Sequence, residues 1–362
     1  MARSSLLLAS APAAFLLASL VASPQAQAAA NPAAPTTKPA PKEAAPAVKP
    51  AAPVPKRAPA PPAPVALIPK AWERSIYDLE GRVVTVVDDV TFEAPPAYQE
   101  SFAFWTGRMK GGQRTELLQL LTTTREPAED GSLPFRRQVS RFQVDIVEQG
   151  QNKTPAGQLS HLVTSLVWEG VLDPEGNVRD ITKTGGPDDT SEFEQLSFEL
   201  LDRLFPRLGE RREMKPGDSF TEKMPISMPQ RLAVKGLEGI GLIVTRAFTL
   251  REVRGNEAIF DVKVTYEADP ATPPTAPRTT CAISGSGTGQ ATFDRADGLF
   301  IQSKMESRMV IDLEAPLRRL PDQPEGFDPG TAKSRIALSL QLSGKQVLAR
   351  LFTEPAEEPA AD

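Results

Sequence analysis

The chain holds few residues equipped for chemistry. It has one histidine, His161, and one cysteine, Cys281. A hydrolytic triad needs a histidine brought against a nucleophile and an acid. His161 alternates with Val163, Ser165 and Val167, which reads as a strand, so its neighbour Ser160 points to the opposite face. The expected role is a sheet histidine with a satisfied hydrogen bond. Cys281 falls on the apolar side of an alternating segment and reads as a small buried residue. A zinc site built from one His and one Cys would need carboxylates for its other ligands, so no metal site is expected.

Two carboxylate pairs stand close in sequence. Asp188 and Asp189 precede a helix start, where backbone N–H groups favour negative charge. Asp294 and Asp297 lie in a hairpin turn, and one short loop offers too few oxygens for calcium. Both pairs read as structural. Gly285-x-Gly-x-Gly289 has the look of a phosphate-binding loop, but that fingerprint must sit between a strand and a helix. Here the glycines lie inside an alternating segment, Cys281–Phe293, followed by a hairpin. Their shared face leaves a bare groove, of the kind that marks bending or close approach of another element. No cofactor is expected.

The elements that carry these residues are mostly strands. In Glu257–Ala268 the residues Ala258, Phe260, Val262, Val264 and Tyr266 share a face, with Ile259 the apolar exception on the other. In Leu299–Leu313 the apolar face is Leu299, Ile301, Met305, Met309 and Ile311. Ile336, Leu338, Leu340 and Leu342 repeat the pattern, as do Ile240, Leu242, Val244, Phe248 and Leu250. Arg254-Gly255-Asn256, Asp294–Gly298 and Asp173–Asn177 supply tight turns between such strands, and Leu159–Leu172 pairs with Val178–Ile181. Gln113–Thr124 fits either a strand or a short helix. One helix is expected: Ser191-x-x-Glu194 is a capping box, and Phe193, Leu196, Leu200, Leu201, Leu204 and Phe205 follow at helical spacing before Pro206 and Gly209. That stripe contributes roughly 10 kcal/mol gross on burial, so the helix must pack on the sheet.

The N-terminal sequence gives the address. Arg3, an apolar run Leu6–Val21 and Ala26-Gln27-Ala28 make a cleaved signal peptide over residues 1–28. The only cysteine, Cys281, is far from the cleavage site, so no lipid anchor is expected, and no later segment is apolar for long enough to span a bilayer as a helix. Residues 29–66 are rich in Ala, Pro and Lys and read as a disordered, extended spacer on the order of 100 Å long. Its basic residues, Lys38, Lys42, Lys49, Lys56 and Arg57, suit an anionic surface or an envelope partner. A globular region, 67–353, follows, with sub-lobes 80–181 and 218–352, then an acidic disordered tail, 354–362. The net charge of −5 does not point to nucleic acid. A lone cysteine leaves the exported domain to rely on its core.

The run Gly285-x-Gly-x-Gly289, Phe293-Asp294, Gly298, Ser303, Met305, Met309 and Ile311, preceded by Lys215-Pro-Gly-Asp-Ser-Phe220, resembles a pattern in uncharacterised secreted bacterial proteins. The order of elements is similar to lipoprotein-carrier-like half-barrels. The resemblance covers the C-terminal half. It implies a curved sheet wrapped round a helix and able to hold acyl chains, and it brings no catalytic residues. The loops Asp269–Arg278 and Ala315–Ser334 depart from it and would cover a cavity mouth.

The expected fold is therefore α+β: a curved, half-barrel-like antiparallel sheet on one principal helix, behind a disordered Pro/Ala-rich segment. The expected function is a non-enzymatic periplasmic or extracellular protein that binds a lipid or other apolar ligand, or a protein partner. The groove residues are Gly285, Gly287, Gly289, Phe193, Leu200, Met305 and Met309. The alternative is a structural or assembly scaffold held by its Pro-rich tether.

Overall fold

The computed structural model describes residues 63–351 except 153–160, 162, 175, 188–204, 207, 209, 228–240, 275–277, 318 and 321–322. The expected signal peptide and tail, nearly all of the expected spacer, and the helix expected from Ser191, with Phe193 and Leu200, lie outside the described residues, as does the Asp188/Asp189 pair.

Alternation becomes antiparallel sheet. The first half of the chain gives β1 (Val65–Leu67), β2 (Ser75–Glu93), β3 (Gln113–Thr124), β4 (Leu133–Glu148), β5 (Gln151–Asn152), β6 (Val167–Leu172) and β7 (Val178–Gly185). The second half gives β8 (Arg212–Met214), β9 (Ser219–Ser227), β10 (Gly241–Arg254), β11 (Glu257–Ala268), β12 (Thr280–Asp294), β13 (Leu299–Pro316) and β14 (Thr331–Arg350). β1 pairs with β8. The rest form one 12-stranded sheet in the order β7-β6-β4-β3-β2-β14-β13-β12-β11-β10-β9, with β5 on the flank of β4. Every pairing is antiparallel, and the sheet is not closed. Neighbours in the sheet are neighbours in sequence except at β4–β6 and at the centre, where β14 lies between β13 and β2. The β2–β14 ladder runs from Glu93↔Lys333 to Ser75↔Arg350 and makes the two expected sub-lobes one continuous sheet.

One face is predominantly apolar. Ala258, Phe260, Val262, Val264 and Tyr266 are buried, and so are Ile336, Leu338, Leu340 and Leu342. The face is concave. Strands are spaced about 4.8 Å apart, so side chains three strands apart start about 14 Å apart on a flat sheet. Yet Phe248 on β10 and Phe300 on β13 bring their ring centroids to 6.4 Å, and Phe220 on β9 and Phe260 on β11 meet at 5.8 Å.

The glycine stripe makes this curl sterically available. A Cβ on Gly285 would lie 2.5 Å from the Arg308 carbonyl oxygen and 2.9 Å from Met309 Cα, both on β13. At Gly287 it would fall inside Ser307 and the Glu306 carbonyl, and at Gly289 inside the Lys304 carbonyl. Tyr266, paired with Gly285, lays its ring over the stripe, and its hydroxyl shares a 2.9 Å hydrogen bond with Ser307 two strands away. An aromatic ring over strand glycines restores the apolar cover that they lack.

Three local expectations are corrected. His161 is not in a strand. His161, Val163 and Thr164 are helical, and the Ser165 N–H donates to the His161 carbonyl at 3.2 Å. Val163 and Leu166 are buried at a helical spacing that the apparent alternation concealed, and β6 begins only at Val167. Ile301 is not on the apolar face. A register shift pairs Thr292 with Gln302 and Phe293 with Phe300, so Ile301 is the extra residue of a bulge and Phe300 turns inward. The sequence reading also missed a helix, α1 (Pro96–Met109), which packs on β2 with Phe102 against Phe92 at 4.9 Å. It has no side-chain N-cap and weak patterning, but Pro96 at its start and Gly111 (φ +72°) just beyond its end are legible boundary signals. Gln113–Thr124, ambiguous in sequence, is strand β3. Among the described residues no helix is long and apolar enough to cross a membrane.

The glycine stripe gives a test. Gly287→Ala should lower stability by about 1–3 kcal/mol through overpacking, whereas Thr288→Ala on the exposed face should change it by less than about 0.5. Equal thermal midpoints for the two variants would refute the close approach.

Candidate functional site

The curl leaves a cavity of about 450 Å³ at one end of the concave face. Cross-strand register builds its wall. Tyr77 on β2 faces Thr122 on β3, which faces Arg137 on β4. Two residues along, Gln346 on β14 faces Leu79, which faces Leu120. All six line the cavity. Leu172, Val178 and Ile181 close it on the β6–β7 side, and Phe293, Leu299 and Phe300 on the β12–β13 side. Phe205, Pro206 and Leu208 also line it.

A strap, Pro69–Arg74, crosses one rim. Lys70 N–H donates to the Gly298 carbonyl (3.1 Å), Ala71 N–H to Pro174 (3.0 Å), and Trp72 N–H to the Tyr77 hydroxyl (2.7 Å). The Trp72 indole N–H donates to the Asp297 carbonyl at 2.7 Å, and its ring is stacked 3.7 Å from the Arg350 guanidinium. The strap passes so near the β12–β13 hairpin that a Cβ on Gly298 would lie 2.6 Å from the Ile68 carbonyl. Gly298 also has φ +69°, so the position requires glycine twice over.

The polar groups around the cavity are mostly fastened. Arg137 Nε donates to Thr122 Oγ1 at 2.9 Å, and its guanidinium lies 5.1 Å from the Phe135 ring centroid. The Lys70 ammonium donates to the Ala296 carbonyl at 3.2 Å. Burial pushes the Tyr77 phenol up to about 12, so it stays protonated. At the β6–β7 hairpin, burial alone would raise the Asp173 carboxyl. Hydrogen bonds from Asn177 N–H (2.8 Å) and side chain, and from Arg179 (3.0 Å), outweigh it and hold the group below the usual carboxylate value.

Of the expected groove residues, the five that the structure describes fall elsewhere. Gly285, Gly287 and Gly289 face β13 and Tyr266, and Met305 and Met309 are buried beside them in the main core. None of these five lines the cavity. Asp294 accepts the Ala296 and Asp297 N–H groups as a turn-forming side chain, and Asp297 pairs with Arg350 at 2.8 Å. Cys281 is half-buried, and burial followed by the nearby Asp312 charge pushes its thiol up to about 11. His161 is exposed. Among the described residues no three His, Cys, Asp or Glu side chains are grouped to hold a metal. Sequence reasoning expected an apolar cavity but misplaced it, because its walls join residues more than 200 positions apart. It also missed Arg246, which occupies the apolar parity of β10, is 1% exposed, and donates to Glu222 across the ladder at 2.7 Å.

No family model matches the sequence, and no curated protein matches it. Solved structures that overlap it include the outer membrane protein OprG from Pseudomonas aeruginosa, at 8% identity and a TM-score of 0.21, over 78% of this chain and 98% of that one. The Salmonella type III secretion secretin InvG overlaps at 7% identity and 0.16, over 78% of this chain and 61% of that one. OpdQ from Pseudomonas aeruginosa overlaps at 7% identity and 0.17, over 78% and 100%. A lipoprotein carrier is not among these three. Scores of this size leave the fold to be defined by the sheet itself.

The Asp173 hairpin carries a pH test. A carboxyl held low when folded stabilises the protein above its unfolded value, about 3.9, and loses that contribution as pH falls through the folded value. Asp173→Asn should therefore cost about 1–3 kcal/mol at neutral pH. The gap to wild type should shrink as the solution is acidified below pH 4, as followed by denaturant midpoints. A gap that stays constant with pH would refute the assignment.

Proposed function

We propose that this chain is an exported, non-enzymatic protein of the cell envelope that holds an apolar ligand in the cavity at the end of its concave sheet. The observation that carries the reading is the cavity itself. Its volume of about 450 Å³ lies within the usual range of small-molecule sites, and its wall is mostly apolar with a few polar groups. The export signal over residues 1–28 and the Ala/Pro/Lys-rich residues 29–66 support the envelope address. A carrier of this kind needs no reactive side chain. It needs a pocket whose filling costs no rearrangement of the sheet.

Native mass spectrometry tests this on the full chain, exported in a bacterial host and purified without detergent. The expected result is a mass above that of the bare protein, removed by organic extraction. Val178 lines the cavity yet is 37% exposed, so it accepts a larger side chain without disturbing the core. Val178→Trp should lower the occupied fraction severalfold. A wild-type protein that carries nothing, and takes up no lipid when offered it, would leave the tethered-scaffold reading in its place.

A further inference from the structure

We infer that the strap Pro69–Arg74 is a brace that closes the open sheet into a ring at the cavity, and that Trp72 is the positioning residue that fastens it. In the strand order β6 and β13 stand five places apart, so on a flat sheet they would lie about 24 Å from one another. The strap records how far the sheet departs from flatness. Lys70 N–H donates to the Gly298 carbonyl in the β12–β13 hairpin at 3.1 Å, and Ala71 N–H donates to the Pro174 carbonyl in the β6–β7 hairpin at 3.0 Å. Adjacent residues are about 3.8 Å apart, so the two hairpins approach to within about 10 Å. Among the described residues no strand pairing spans that gap. Two neighbouring residues of the strap do. The cavity lies under them, with Asn177 and Val178 on one side, Gly298 and Leu299 on the other, and Lys70 and Ala71 between.

The two ties differ in kind. On the β6 side Ala71 packs against the small apolar cluster of Leu133, Phe135 and Leu172. On the β13 side the fastening is polar and centres on Trp72. Its indole N–H donates to the Asp297 carbonyl at 2.7 Å. Its ring lies 3.7 Å from the Arg350 guanidinium, which pairs with the Asp297 carboxylate at 2.8 Å. The Lys70 ammonium lies 5.5 Å from the same ring. A further contact, Arg295 Nε to the Ala66 carbonyl, is long at 3.5 Å and sits upstream of the strap. Trp72 is half-buried, belongs to neither core cluster and does not line the cavity. It therefore acts on the cavity only by holding the strap to the hairpin, and its loss frees one side of the ring without hollowing the core.

The test measures the span directly. Nitroxide labels are placed on the full chain at T182C and A296C, both exposed positions, with the native thiol removed as C281S. Pulsed electron spin resonance then gives the distance between the two limbs. In W72A the distribution should lengthen or broaden by at least about 5 Å, one strand spacing. W72F keeps a ring against Arg350 and loses only the indole N–H, so it should widen the span in the same direction by less; if W72A does not fold, W72F decides by that criterion. Release of the neutral apolar probe N-phenylnaphthylamine, followed by fluorescence, should be severalfold faster from W72A than from wild type. Distributions that coincide in wild type and the Trp72 variants would overturn the brace, whatever the probe does. A widened span with no probe bound to either protein would uphold the brace and remove the apolar-ligand reading of the cavity.

Discussion

The ladder between β2 and β14 is the constraint on which the rest of the molecule depends. It joins the first strand of the large sheet to the last, with Ser75 opposite Arg350 and Glu93 opposite Lys333. Without it the chain offers two separate meanders, each with an apolar face and an extra open edge. With it, Leu338 and Leu340 on β14 stand at the middle of a continuous concave surface, buried between residues of both halves. Bringing such distant segments together carries a loop-closure cost that rises only slowly with length, and the many apolar pairs along the ladder offset it. The cavity wall depends on the same pairing, because Gln346 and Leu79 reach one row only when β14 lies beside β2.

Curvature follows from a second, local restriction. A sheet this wide, met in its core by only the two-stranded β1–β8 pair among the described residues, has to coil to bury its apolar face. Gly285, Gly287 and Gly289 let β13 press against β12 where any side chain would hold it off. The Phe220, Phe248, Phe260, Phe293 and Phe300 rings then converge, with neighbouring centroids 4.9–6.4 Å apart. Such contacts contribute about 0.5–1.5 kcal/mol each beyond their buried area. Two of the rings, Phe293 and Phe300, form both part of this cluster and part of the cavity wall, so the packing that curls the sheet also bounds the empty space.

Much of the architecture was legible from residue order. Period-two alternation located β10, β11, β12 and β14, because one-sided burial imposes that pattern directly. Turn chemistry located the hairpins at Gly255, Gly298 and Asn177. The failures are equally specific. A bulge at Ile301 reverses parity without a composition signal, and the helical residues His161, Val163 and Thr164 fall in a stretch that also satisfies an alternation. α1 lacks a capping side chain. The glycines were recognised as sites of close approach, but which atoms approach them depends on the β12–β13 register. The position of the cavity was not legible. Its strap at Trp72, its rim at Asp297 and its wall at Gln346 are united only by the long-range ladder, and Arg246 hides in an apolar row because its partner Glu222 lies on the adjacent strand.

The meeting of Ser75 with Arg350 has a mechanical consequence. These residues terminate adjacent antiparallel strands at the same end of the sheet, and Leu351 N–H donates to the Arg74 carbonyl beside them at 2.7 Å. Tension applied through the two flanking segments would act as on a zipper, opening rungs singly instead of loading them together in shear. The stacked Trp72 and Arg350 side chains are the first fastening in its line, and they stand at the rim of the empty space.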